Sequence, residues 1–191
     1  KVKISFLGSG NLLHPWYDDV LKVAAGRWPI PLFDRSQPVA PQFEGLDVVI
    51  DQGGNHGTHE LIDAACEVGV KLWQVLGTGL DHTDVTYILE KGIPLANTPG
   101  QFSSIALAEH ALFLMLLFAK KFFDSQSSVR NQVLCEPMNE ELHGKTLGLL
   151  GFGASGRELA TRAKASGMRI MAIDAVPIPE AVQEACGLVF C

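Results

Sequence analysis

The sequence has few charges, no basic cluster, no paired-cysteine spacing and no apolar run long enough to cross a membrane. Charged residues make up 19% of the 191 positions, against roughly 25% in ordinary soluble domains. Fifteen Lys and Arg face 21 Asp and Glu, a formal charge of −6. Nucleic-acid binders grip phosphates with clustered cations, so that class is excluded. Cys66, Cys135, Cys186 and Cys191 show no CxxC spacing. They read as buried thiols in a reducing compartment, without a zinc site or a disulfide framework. The stretch from Lys1 to Gly8 lacks the apolar core and cleavage site of a secretory leader, so a cytoplasmic protein is expected. The longest apolar run, Ile105 to Ala119, holds 15 residues, includes Glu109 and His110 and is followed by Lys120 and Lys121. A membrane span needs about 20. Nineteen Gly and ten Pro occur without a period, which excludes collagen-like and low-complexity chains.

What is present is core material. Hydrophobic residues reach 47%, enough to exclude disorder, and the length allows one or two domains of about 150 residues. Short β-branched or apolar runs end in glycine: Val2–Leu7 before Gly8, Leu46–Ile50 shortly before Gly53, Lys71–Leu76 before Gly77. Between them, Leu61, Ile62, Ala65 and Val68 recur at helical spacing over Thr58–Val68, with Thr58 or Asn55 as N-cap. Asp81–Lys91 fits another helix, and Ile93–Ala96 a short strand. Apolar strands alternating with helices predict a parallel sheet covered on both faces. The character changes near Thr98. A long helix of about 103–123 leads into a polar segment, Asp124–Glu141, and a new strand–helix–strand unit opens at Lys145. An apolar helix of this kind is expected between domains or at a subunit contact.

The most informative stretch follows the predicted strand Thr146–Leu150. Gly151, Gly153 and Gly156 form GxGxxG at the start of a helix whose apolar face is Leu159, Ala160 and Ala163 and which Gly167 stops. The strand Met168–Ile173 completes a βαβ unit, and Asp174 stands 18 residues after Gly156. The three glycines do different things. Gly151 makes the tight turn, Gly153 admits a pyrophosphate to the backbone, and Gly156 lets helix and strand close up. The first helical N–H groups, around Ala154 and Ser155, are left to hold phosphate oxygens. Asp174 suits a ribose diol, and a carboxylate there repels a 2′-phosphate, so NAD is favoured over NADP. His56 and His59 lie three apart without a carboxylate or third ligand nearby in sequence, and no metal site is expected. His82 and His110 read as structural.

The segments Gly77-Thr78-Gly79, Asp81 to Asp84, Lys91 to Gly100, Ala108-Glu109, Leu142 to Gly148 and the glycine turn through Met168 resemble, in order and spacing, the D-isomer-specific 2-hydroxyacid dehydrogenases, most closely their 3-phosphoglycerate dehydrogenase branch. The resemblance covers about residues 70–175; residues 1–69 match loosely. It implies an α/β architecture in which residues 1–97 form a flavodoxin-like substrate (lid) domain. Residues 98–191 then open an incomplete Rossmann, doubly wound NAD-binding domain, with a catalytic cleft between the two. It implies that Gly53, Gly54 and Asn55 offer backbone amides to a substrate carboxylate, and an ordinary strand-to-helix turn accounts for the same residues. It implies that Thr78 faces the cofactor, where a hydroxyl bonded to its own turn is the alternative.

Two departures stand out. Ala154 and Ser155 replace the family's usual Arg and Ile, removing a cation expected near the pyrophosphate. Gln101-Phe102 replaces a common Asn. The family's substrate-binding Arg, its Glu and its acid–base His are expected beyond Cys191, so the chain reads as truncated, alone inactive and without an assignable catalytic residue. The implied function is hydride transfer between NAD and a small D-2-hydroxy acid by a homodimer that binds neither nucleic acid nor membrane. A non-catalytic NAD-sensing protein on the same fold is the alternative.

Overall fold

Glycine-terminated apolar runs become the strands of two separate parallel sheets in the computed structural model, which describes residues 1–10 and 13–190. The chain divides into two units, Lys1–Pro99 and Gly100–Cys191.

In the first unit the strands β1 (Ile4–Leu7), β2 (Val48–Gln52), β3 (Leu72–Leu76) and β4 (Leu95–Ala96) lie in the order β1-β2-β3-β4, all parallel. A parallel bridge between Phe6 and Leu32 adds a rudimentary strand outside β1. Counted in chain order, this gives 2-1-3-4-5, the flavodoxin-like arrangement. Alternation along the strands sends Val49, Trp73 and Val75 to one face, where Leu61 and Ile62 of α3 (His59–Glu67) and Ile88 of α4 (Val85–Glu90) cover them. Phe6, Ile50 and Leu76 go to the other, under Tyr17, Val20 and Ala24 of α1 (Leu13–Ala24). The short helix α2 (Val39–Phe43) adds Phe43 to the first cluster. Both faces are thus buried, as a parallel sheet requires.

Element ends depart from the periodicity for local reasons. β2 runs on through Asp51 and Gln52, since ladder pairing with Val75 and Leu76 continues past the apolar residues. α3 is capped by Thr58, whose Oγ1 accepts from Leu61 N at 3.4 Å. The helix expected over 81–91 begins only at Val85, where the Asp84 carboxylate accepts from Tyr87 N at 3.0 Å and caps it.

The second unit opens with a 3-10 turn (Gly100–Phe102) and α5 (Ser104–Ala119). The long helix expected to reach residue 123 stops four residues earlier. Lys121 adopts a left-handed φ of 44°, and α6 (Phe122–Arg130) follows within what reads from sequence as a polar connector. The strands β5 (Thr146–Leu150), β6 (Arg169–Ile173) and β7 (Leu188–Phe190) lie in the order β5-β6-β7, parallel, joined by α7 (Ala154–Ala165) and α8 (Glu180–Cys186). This is one βαβαβ half of a dinucleotide fold. Leu147, Leu149, Ile170 and Ala172 pack beneath Ala160 and Ala163 of α7, with Leu112 and Met115 of α5. Leu150 and Ile173 remain exposed on the opposite face.

α5 keeps an apolar surface exposed, and the expectation that the thiols are buried is corrected. α5 buries only Ser104, Ala108 and Ala119 and leaves Leu107, Phe113, Leu114 and Phe118 exposed. Of the thiols, Cys186 is buried, Cys66 half-buried and Cys135 exposed, all three unpaired. Cys135 lies outside any helix or strand with a left-handed φ of 68°, so no packed element covers it. Cys191 lies outside the described residues.

Candidate dinucleotide site and glycine turn

In the second unit the chain leaves β5 at Gly151, whose φ of +93° few side chains tolerate. Two bonds then tie the turn to the end of β6. Gly151 N donates to Ile173 O at 2.7 Å, and Phe152 N donates to Asp174 Oδ2 at 2.5 Å. The Phe152 side chain is buried in the core and anchors the turn from below. A Cβ on Gly156 would lie 2.7 Å from Gly151 O, so helix and turn close up only because residue 156 lacks one. A Cβ on Gly151 or Gly153 would meet nothing within 4 Å. The space above the turn is open, as a diphosphate needs.

Gly153 is the N-cap of α7 and has no capping side chain. The first helical bond runs from Arg157 N to Gly153 O at 3.1 Å, which leaves the amides of Ala154, Ser155 and Gly156 for an anion. The Asp174 carboxylate accepts from Phe152 N and, at 3.1 Å, from Val176 N. These amides, with the charge of Arg157 adding to them, hold its pKa below the usual carboxylate value. One bond per oxygen leaves acceptor capacity for two hydroxyls. Beside it lies a cavity of about 240 Å³ lined by Ile173, Asp174, Val176, Pro177, Ile178 and Gln183.

Sequence reasoning missed Arg157. Its Nε donates to Phe152 O at 3.0 Å, so Asp174 and Arg157 hold the same residue of the turn by its N–H and its C=O. A cation therefore does stand at this turn, three residues after Ala154. Glu109 pairs with Arg162 of α7 at 3.6 Å, a local role.

In the first unit, Gly53 and Gly54 follow β2 with φ of +72° and +76°. Gly53 N donates to Leu76 O at 3.0 Å, and Thr83 Oγ1 donates to Gly54 O at 3.1 Å, so this turn is sewn to the end of β3. Asn55 is exposed. Beneath them Asp51 is fully buried and accepts from His56 N at 3.2 Å, Gly57 N at 3.1 Å and Trp73 Nε1 at 3.3 Å. Burial pushes its pKa up to about 6 despite those donors. Its role was not legible in the sequence, where it is one acid at a strand end. Thr78 is exposed. Its carbonyl accepts from Asn97 Nδ2 at 2.8 Å, and its hydroxyl makes no hydrogen bond among the described residues. His59, with no carboxylate nearby in sequence, meets Asp84 at 3.0 Å and stacks on Tyr87; the partner comes from 25 residues away. No group of three or more His, Cys, Asp and Glu among the described residues could hold a metal ion. No helix among them is long and apolar enough to cross a membrane.

A glycine turn between a parallel strand and a bare helix N-terminus, with a carboxylate at the next strand's end, defines a dinucleotide-binding α/β protein. Residues 112–190 match the family model of the D-isomer specific 2-hydroxyacid dehydrogenase, NAD binding domain. Most of the second unit is thus matched by that family's NAD-binding domain, and the cradle just described fits NAD. The chain is 31% identical over 178 residues to a D-3-phosphoglycerate dehydrogenase of Methanocaldococcus jannaschii, covering 91% of this chain and 33% of that protein. It is 39% identical over 143 residues to a hydroxypyruvate reductase of Thermotoga maritima, covering 74% and 45%. The chain thus spans a third to under a half of these relatives. Among solved structures, a D-lactate dehydrogenase of Aquifex aeolicus complexed with NAD and lactic acid superposes with a TM-score of 0.76 at 24% identity, covering 99% of this chain and 56% of that one. That likeness is one of fold.

Proposed function

We propose that the whole protein is an NAD-dependent oxidoreductase of small D-2-hydroxy acids, 3-phosphoglycerate-like ones among them. The cradle of Gly151, Gly153 and Gly156 beneath the Asp174 carboxylate carries this reading. The amides of Ala154, Ser155 and Gly156 hold the diphosphate, and Asp174 accepts from the ribose hydroxyls. When bound, NAD supplies the hydride acceptor. In the first unit the Gly53 amide is taken by the Leu76 carbonyl, so the amides of Gly54 and Asn55 in the same turn hold the acid's carboxylate, and Thr78 offers its unengaged hydroxyl to the cofactor. The exposed apolar side chains of α5 serve a homodimer contact, since a patch of that kind is otherwise an aggregation hazard. The protein works in the cytoplasm. The substrate-clamping Arg and the acid–base pair are assigned to no residue of this chain, so alone it binds NADH and leaves 2-oxo acids unreduced.

A fluorescence titration with NADH and NADPH tests the assignment. Asp174→Ala is expected to weaken NADH binding about tenfold, the worth of charge-assisted contacts to the ribose, and to bring NADPH level with it. Unchanged affinity and unchanged preference would refute the site.

A further inference from the structure

The first unit holds a cavity of about 630 Å³ that the proposed function leaves unused. Lys3 and Ile4 line it with Leu46, so it lies at the amino ends of β1 and β2. The turn after β2 stands at the other end of this parallel sheet, and the cavity is separate from it. Its walls are apolar and stiff: Pro29, Pro31 and Pro41, with Leu32. Cavities of about 300–1,000 Å³ are the size that small organic molecules fill.

The polar groups inside it come from a ladder that breaks. Val48 N donates to Lys3 O at 3.1 Å, so the backbone of Lys3 and Ser5 faces β2, and that of Ile4 and Phe6 faces the opposite edge. There Phe6 N donates to Pro31 O at 3.0 Å, and Phe33 N donates to Phe6 O at 2.8 Å. The next bond of a parallel ladder would run from residue 31 to Ile4 O, and a proline has no N–H to give. The Ile4 carbonyl and the Ile4 N–H beside it therefore find no partner among the described residues. Ser5 is only 3% exposed and lines the same cavity, and its hydroxyl makes no hydrogen bond among the described residues. Buried polar groups are normally paired. Gln42, also in the lining, is spent on Asp34 N, Asp34 O and Pro38 O. One acceptor, one donor and a hydroxyl are thus left open in an apolar cavity.

We propose that this cavity binds a flat heterocycle with a ring N–H beside a ring carbonyl, a cyclic amide of the pyridone or purinone class. An open-chain amide is trans and holds its N–H and C=O on opposite sides. A ring amide presents both on one edge, as Ile4 does. The ring N–H donates to Ile4 O, the ring carbonyl accepts from Ile4 N, and the Ser5 hydroxyl serves a further ring nitrogen. An added peptide strand would need successive open ladder positions, and the Pro31–Phe33 segment already holds the edge at Phe6. Pro31 acts twice, as a wall and as the residue that leaves Ile4 O to the ligand.

The test is an isotope-labelled sample of the full chain titrated with 2-pyridone, 1-methyl-2-pyridone and hypoxanthine, following the amides of Ile4, Ser5 and Leu32. 2-Pyridone and hypoxanthine are expected to shift all three amides. The methylated pyridone has lost its N–H and should bind about tenfold weaker than the parent ring. Ser5→Ala should weaken hypoxanthine about fivefold. Pro31→Ala supplies the missing N–H to Ile4 O and should bring 2-pyridone down to the level of its methyl derivative. Equal affinities for the two pyridones in the unmodified chain, or a difference that Pro31→Ala leaves in place, would overturn the site. So would hypoxanthine binding unmoved by Ser5→Ala, or amides that stay still with every probe.

Discussion

Replacing Asp51 by Asn isolates one buried charge and inverts the usual pH behaviour of a carboxylate. Asp51 is fully buried, and its pKa stands at about 6 against about 3.9 in an unfolded chain. The folded state therefore holds a proton that the unfolded state has released. The stability this group contributes is fully present below the unfolded value and is lost as pH rises through about 6. About two pKa units amount to about 3 kcal/mol, of which about 2 kcal/mol falls between about pH 4.5 and about pH 7. His56, with its lowered pKa, works in the opposite sense but is common to both proteins, so the difference between them reports Asp51. Asn keeps one acceptor and turns an amide toward backbone donors, a cost of about 1–3 kcal/mol that varies little with pH. Asp51→Asn is thus expected to be less stable than the parent at low pH, with the gap closing by about 2 kcal/mol toward neutrality. Urea unfolding by tryptophan fluorescence reads the right unit, because Trp16, Trp28 and Trp73 all lie in it and Trp73 Nε1 contacts Asp51. Parallel pH profiles for the two proteins would refute the account.

Gly153→Ala and Gly156→Ala should separate binding from folding. The Gly153 Cβ meets open space at an ordinary φ of −72°, so its thermal melt should match the parent while NADH affinity drops about tenfold as the methyl fills the diphosphate space. The Gly156 Cβ strikes the Gly151 carbonyl, so that variant should lose about 2 kcal/mol of stability as well; equal melts for the two would contradict this. The thiols should react in order of exposure, with a maleimide reaching Cys135 within the native protein, Cys66 more slowly and Cys186 only on unfolding. Mass spectrometry of the labelled peptides checks that order.

The strands, their parallel arrangement and the dinucleotide turn are legible in the sequence because each is written in neighbouring residues. Period, glycine position and the spacing from Gly156 to Asp174 all lie within one βαβ unit. Ends are harder. Asp51 and Gln52 look like a turn from their polarity, yet they extend β2 because ladder bonds to β3 cost nothing in hydrophobicity. The break after Ala119 falls at Lys120-Lys121, two good helix formers that give no stop signal, so the left-handed Lys121 is not legible from propensity.

What the sequence hides is every polar contact made between distant elements. The Asp84 partner of His59 arrives at the N-cap of another helix, and the Arg35 partner of His56 in the turn that follows the Leu32 bridge. Arg157 reaches back from inside α7 to the residue that Asp174 holds from the next strand. These contacts share a cause: a parallel sheet brings the ends of all its strands to one edge, so side chains far apart in sequence meet there. The same edge leaves its loop amides without ladder partners. A fold of this kind therefore concentrates unsatisfied donors and charged side chains where a ligand can reach them. Donor-rich turns at the two carboxyl edges, rather than any single motif, are what the proposed anion sites of both units rest on.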